Sequence, residues 1–409
     1  NQLRPIHQIS INNAFITTDN NVKLSISNVG NFPIKILCTE LNKGIRFCPK
    51  NNELFLYPKN GKSQEIFLFK NNNNSKINNL NLVLKYSTIG TNNIKSKDLL
   101  LQKKPQKLPG INYFESRNIV KNPLANFVIN KDSKIITIKD SYTEIKQPIT
   151  IPLGYKLYID EKNAEIKFLN NSFIYVKGSI SIIGKKDNPF KLYAAKESSG
   201  YLIIENKYQP SKFENVIFKG LGIPNNEFNN LRGSITAYDT NIEIKNSYFL
   251  ENKSGDDYFN GVRSNVLMEG VYFNDVLADA IDLDFCSGQL NNLSFKNIGN
   301  DALDFSGSDI KVSKLLAEKI GDKGVSIGEN SKVKLVDIEI NNASMAIASK
   351  DSSIVKIKNS NFNSNDYNLA AYNKKPEFDG GKIYIDKYIK SDVKILKDKL
   401  SEILIDEYE

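Results

Sequence analysis

Tryptophan is absent from the 409-residue chain, histidine occurs once and cysteine three times. The lone His7 excludes a histidine-based catalytic triad and a His-ligated zinc site. Three cysteines are too few for a disulfide scaffold. No apolar run reaches the roughly 18 residues of a membrane helix, so no helical membrane span is expected. Glycine (23) and proline (13) show no collagen-like excess. What is present argues for a folded chain. Hydrophobic residues make up 40%, and 19 Tyr with 22 Phe exclude wholesale disorder. Lys and Arg (55) outnumber Asp and Glu (46), giving a net charge of +9. The lysines are dispersed among Asn and Ile, without an Arg-rich run or an RNA-binding signature, so nucleic acid is not an expected partner. The basic balance instead favours acidic polysaccharide or a cell-surface glycan. The chain begins at Asn1 rather than Met, which fits a removed signal peptide and a secreted or cell-surface location.

The first hundred residues alternate with period 2 in short runs: VKLSISN from Val22, PIKILCT from Pro33, ELFLYP from Glu53, QEIFLFK from Gln64 and LNLVLKY from Leu80. Such runs, bounded by NNNN and GTNN, predict a β-sandwich over 1–102. Cys38 and Cys48 flank TELNKGIRF, and are either paired across a hairpin or two buried thiols; Cys286 stands alone and is expected in the core. Around KKPQKLPG the pattern breaks, and 103–120 reads as a linker. The stretch SISNVGNFPIKIL resembles immunoglobulin-like modules of bacterial surface proteins.

From Gly261 a 22-residue period emerges: ADAIDLDFCSGQLNNLSFKNIG, NDALDFSGSDIKVSKLLAEKIG, DKGVSIGENSKVKLVDIEINNA, SMAIASKDSSIVKIKNSNFNSN. Ile281, Leu303, Val325, Ile347 and Leu369 form one apolar column, and Leu283, Phe305 and Ile327 the next. A unit this short cannot bury its apolar face alone, but stacked coils about 4.8 Å apart make a continuous core. The period predicts an all-β chain whose main body, 121–388, is a right-handed parallel β-helix. Helical spacing of Val393, Leu396, Leu400 and Ile403/Leu404 predicts a short capping helix over 389–409, covering an otherwise sticky end.

On GDDYFNGVRSN, ADAIDLDF, GNDALDFSGS, DKGVSIGENS and ASKDSS, residues 121–388 resemble the pectate-lyase-like superfamily, and more closely a β-helix module of bacterial extracellular proteins. That superfamily holds polysaccharide lyases, hydrolases, epimerases, tailspikes and non-catalytic surface proteins, so the resemblance implies a carbohydrate-active fold and no particular reaction. The Asn-Thr-Asp, Gly-His-Gly and Arg-Ile-Lys motifs of polygalacturonases are absent, as is the Asp-Pro-His-Glu motif of alginate epimerases.

With Ile281, Leu283 and Phe285 pointing inward, alternation turns Asp282 and Asp284 outward, and Asp304 stacks on Asp282 one coil later. A second column holds Asp257, Asp279, Asp301 and Lys323; Glu329 and Asp351 repeat at the same spacing, with Lys350 beside Asp351. Side-by-side carboxylates repel unless a proton or cation joins them. Asp279, Asp282, Asp284, Asp301 and Asp304 are therefore candidate ligands for Ca²⁺, whose hard-oxygen preference they match. Asp282, Asp304, Lys323 and Lys350 are candidate catalytic groups, a lysine serving as lyase base or two carboxylates as the acid and base of hydrolysis. Arg263, Tyr367 and Tyr372 are candidate sugar-binding residues. The structural alternative is that turn aspartates only bond backbone amides. The expected function is an extracellular carbohydrate-active protein that binds or cleaves an acidic polysaccharide; the alternative is a non-catalytic adhesive or tailspike-like spacer, with protein partners at the surface.

Overall fold

A computed structural model divides the chain into two units, Asn1–Tyr113 and Phe114–Glu409. It describes residues 9–16, 22–28, 32–41, 45–47, 54–57, 66–69, 81–91, 93–100 and 102–103 of the first. Of the second it describes 117–160, 165–206, 209–223, 232–388 and 393–406. His7, Cys48 and most of the 103–120 segment lie outside the described residues.

Each apolar run of the first unit is a strand. Ile9–Ile16, Val22–Asn28 and Ile66–Phe69 pair antiparallel, and Gln102–Lys103 joins Ile9–Ile16 in parallel, giving a four-stranded sheet. Ile34–Ile36, Thr39–Leu41, Ile45–Phe47, Leu54–Leu56, Asn81–Thr88 and Ile94–Leu100 form a six-stranded antiparallel sheet. The Asn28 side-chain amide donates to the Phe32 and Leu56 carbonyls at 2.9 and 2.8 Å, tying the end of one sheet to the start of the other. Cys38 is disulfide-bonded.

The second unit is a parallel β-solenoid of about 11 turns. Its first face stacks Arg117–Asn118, Ile149–Ile151, Phe173–Val176, Tyr201–Ile204, Gly233–Tyr238 and Asp257–Val262 in parallel. Asp279–Asp284, Leu303–Ser306 and the segments around Val325, Ile347, Leu369 and Ile395 continue it. The column Ile281, Leu303, Val325, Ile347 and Leu369 is fully buried, in register as the period predicts. A second face carries a ladder of rings, with Phe249, Phe273 and Phe295 stacked at centroid distances of 4.3 and 5.2 Å. An extra residue between Phe305 and Val333 shifts the downstream register, absorbed at an irregularity between Ile320 and Lys323.

Residues at positive φ, single or in consecutive pairs such as Glu329–Asn330 and Asp351–Ser352, turn the chain at the corners. Gly270, Asn292, Lys314, Asp337 and Asn359 form one such column, and Asp275, Asn297, Lys319, Asn342 and Ser364 another. Asn and Asp tolerate this left-handed region best among side-chain-bearing residues, which is why Asn-rich turns replace hairpin dipeptides. A third corner column reads Asp239, Arg263, Phe285, Gly307, Glu329, Asp351. Just inside it runs a ladder in which each backbone N–H meets the next coil's side chain: Thr240 to Ser264, Ser264 to Cys286, Cys286 to Ser308, Ser308 to Ser331 and Ser331 to Ser353, at 2.8–3.3 Å. Cys286, free and buried, thus takes a serine's place in a hydroxyl ladder.

Two expectations are corrected. No capping helix forms, and none occurs among the described residues: Ile395–Lys397 and Glu402–Asp406 are strands, pairing with Leu369–Ala371 and Lys382–Asp386. A lone helix of that length is marginal in water, whereas an open sheet edge satisfies each added strand's backbone at once. Phe285 does not point inward. Its φ of 55° breaks the strand alternation and leaves the side chain 60% exposed.

Candidate functional site

The outward column of the first face runs Thr236, Asn260, Asp282, Asp304, Ser326, Ala348. Its members Asn260, Asp282 and Asp304 floor a groove of about 520 Å³, walled by Arg232, Asp284, Glu329, Lys350, Asp351 and Lys374. Asp282, Asp284, Asp304 and Lys350 therefore meet in one hollow. Outward does not mean solvated here: Asp282 is only 7% exposed.

Three turn aspartates differ from those of the strand, although Asp257 Oδ2, at the head of the turn column, is buried without a hydrogen-bond partner. Asp279 Oδ1 accepts from the Asp301 backbone N–H at 2.8 Å and from Asn300 Nδ2 at 2.7 Å. Asp301 Oδ1 accepts from the Lys323 N–H at 2.8 Å, and the Lys323 ammonium lies 3.5 Å away while also contacting Asp322. Asp351 Oδ1 accepts from Lys374 N and Lys375 N, both at 2.7 Å, and pins the loop whose two lysines line the groove. These three brace the turns. The strand aspartates do not: Asp282 takes only Asn260 Nδ2 at 3.3 Å, and Asp304 Oδ1 is buried with no hydrogen-bond partner.

Burial dominates the titration of this cluster. It raises the Asp282 carboxyl well above the ordinary value, with Asp257, Asp284 and Asp304 adding repulsion. Burial also raises Asp257, and raises Asp284 with help from Glu329. Asp279 is pushed up to about 6 by burial against its two donors, and Asp301 up to about 7 against the pull of Lys323. Lys350 is depressed by burial although Asp304 opposes the shift; its ammonium donates to Ser326 Oγ at 2.6 Å, reaching there across Gly328. Lys323 moves the other way. Burial opposes its charge, but Asp301 and Asp322 raise its affinity for the proton.

A folded-state acid pKa above its unfolded value makes stability fall as pH rises through the interval. For Asp279 that interval runs from 3.8 to about 6, and one pKa unit corresponds to about 1.4 kcal/mol. Without divalent cations, Asp279 should therefore lower stability by about 3 kcal/mol as pH rises from about 4 to about 6, read as a falling melting temperature. Asp279→Asn, which keeps an oxygen for the Asp301 N–H, should flatten the profile.

One oxygen each from Asp279, Asp301 and Asp304 lie within 4.8 Å of one another, so this cluster is able to hold a metal ion. The buried, unpartnered Asp304 oxygen and the all-carboxylate donor set fit a hard cation. Asp282 and Asp284 stand outside this triad. Arg263 is not in the groove: it stacks on Tyr238 at 4.4 Å, beside a second hollow of about 380 Å³. Tyr367 and Tyr372 do not line the groove either. Sequence reading missed Arg232, Lys374 and Phe285. The first two come from coils longer than 22 residues, with 33 residues from Leu202 to Ile235 and 26 from Leu369 to Ile395; there the period carries no information.

No protein-family model matches the chain, and no curated protein matches it in sequence. Among solved structures, the catalytic unit of a thermostable GH87 α-1,3-glucanase from Streptomyces thermodiastaticus strain HF3-3 is similar at 7% identity and TM-score 0.29, over 93% of this chain and 89% of that one. The A-module of the mannuronan C-5 epimerase AlgE6 from Azotobacter vinelandii is similar at 10% identity and TM-score 0.21, over 72% and 100%. These are distant likenesses to carbohydrate-active β-helix enzymes.

Proposed function

We propose that the groove binds an acidic polysaccharide and cleaves it by β-elimination, with Lys350 as base and Asp282 as acid. One observation carries this reading: a buried amine whose proton affinity is depressed and a buried carboxyl whose proton affinity is raised line the same hollow, either side of Asp304. Each is thereby shifted towards its neutral form, as base and acid respectively. The Lys350 amine takes the proton beside the sugar carboxylate, the glycosidic C–O bond opposite breaks, and the departing oxygen takes the Asp282 proton. An unsaturated sugar end results. Arg232 and Lys374, on the groove wall, hold the substrate carboxylate, a guanidinium suiting it bidentately. Lys323, ion-paired in the turn, is the counter-ion of Asp301 rather than a base. Asp279, Asp301 and Asp304 would hold Ca²⁺, which supplies positive charge to the carboxylate next to the bond that breaks.

The wider setting belongs to the proposal: a secreted or cell-surface protein, its immunoglobulin-like first unit serving as a spacer. The disulfide at Cys38 supports an oxidising compartment. The test is a screen of polygalacturonate, alginate and hyaluronan with and without Ca²⁺, following ultraviolet absorbance of unsaturated ends and, separately, reducing ends. Absorbance that grows supports elimination. Reducing ends without absorbance would replace it with hydrolysis; binding without either product would leave a glycan-binding spacer.

A further inference from the structure

We infer that Phe285 is the sugar-stacking platform of this groove, presenting its ring to the apolar face of a pyranose unit and extending the binding track across the corner of the solenoid. The inference rests on the groove being a glycan site, but not on its catalysing a reaction. Twenty-two side-chain-bearing residues among those described have positive φ, and Phe285 is the one hydrophobic member; Asn, Asp, Lys, Glu, Ser and Arg fill the other positions. Bulky side chains are strongly disfavoured there, so this backbone conformation is held against local preference. The exposed ring recovers little by burial, at 60% exposure. A disfavoured backbone conformation that carries a largely exposed ring points to a ligand.

The surroundings fit a ring platform. Phe285 borders both the 520 Å³ groove and the 380 Å³ hollow beside it, so a chain crossing from one to the other passes over it. It directly follows Asp284 and lies three residues from Asp282. The next residue in its corner column is Gly307, and a Cβ there would stand 2.6 Å from Phe285 Cδ1. The missing side chain is what lets the ring lean over the following coil. On the preceding coil Arg263, stacked on Tyr238, provides a fixed cation at the edge of the second hollow. An aromatic ring that shares its two hollows with Arg263 and Arg232 suits an acidic sugar, whose C–H face packs on the ring while its carboxylate meets a guanidinium.

The test is isothermal titration of the full chain with polygalacturonate, alginate and hyaluronan oligomers, with cleavage measured separately. Phe285→Ala should weaken binding on the order of tenfold, Phe285→Tyr should retain it, and the melting temperature of Phe285→Asn should equal or exceed the parent's. Gly307→Ala, which displaces the ring, should weaken binding as Phe285→Ala does. Parent binding that depends on Phe285 without cleavage would sustain the platform while removing the elimination reading. Unchanged affinity in Phe285→Ala would overturn the platform and leave that reading standing. A parent that binds none of the three would overturn both, and a lowered melting temperature in Phe285→Asn would assign the ring a structural role.

Discussion

Asp282→Asn is expected to slow polysaccharide breakdown by about 10²–10⁴-fold, the range of positioned general acids, with a melting temperature at neutral pH equal to or above the parent's. The two outcomes follow from the same observation. Asp282 is buried and shifted towards its neutral form, so an amide of the same shape replaces it without adding or removing a charge. Its oxygen still accepts from Asn260 Nδ2, as the carboxyl does at 3.3 Å. What is lost is the transferable proton. Lys350→Met should match the loss in rate while keeping the aliphatic stem over Gly328. The pair should be less than additive, because one elimination needs both groups. Initial rates and thermal melts on the same preparations check both statements. Equal rates in parent and Asp282→Asn would remove the acid from the scheme.

The second large effect concerns stability. Phe273→Ala should destabilise the solenoid by about 3–5 kcal/mol, as large aromatic truncations in packed cores do. Phe273 is fully buried in the middle of the ring ladder, stacked on Phe249 and Phe295 and edge-on to Tyr258. Coils on both sides are fixed by register, so the cavity cannot close by collapse of one neighbour alone. Phe273→Leu should recover much of the loss. Chemical denaturation gives the comparison, and a loss below about 1 kcal/mol would mean that the ladder is not a close-packed core.

The solenoid was legible because its determinants repeat. Ile281, Leu303 and Val325 recur at one spacing, and stacked parallel coils turn that spacing directly into contact. The acidic floor was legible for the same reason, as Asp282 and Asp304 occupy successive coils. Partition of the carboxylates into turn braces and groove groups was not legible. Whether Asp279 meets an amide or a solvent-facing hollow depends on an offset of three residues from Asp282 and on which corner the chain has just turned. Phe285 was misread because alternation assumes an unbroken strand, and one left-handed residue reverses it. The C-terminal segment failed differently. Its spacing fits a helix in isolation, but the exposed edge of the preceding coil templates strands instead.

On the proposed function, the outward carboxylates of the first face are kept for a ligand, at some expense in stability. Asp304→Ala tests it most directly, because Asp304 Oδ1 is buried without a partner between Asp282 and Ser326. Melting temperatures of parent and variant, each with and without Ca²⁺, are the measurement. The expected result is a variant at least as stable as the parent in chelator, a parent stabilised by Ca²⁺, and no such response in the variant. A clearly destabilised Asp304→Ala, together with a parent indifferent to Ca²⁺, would contradict it.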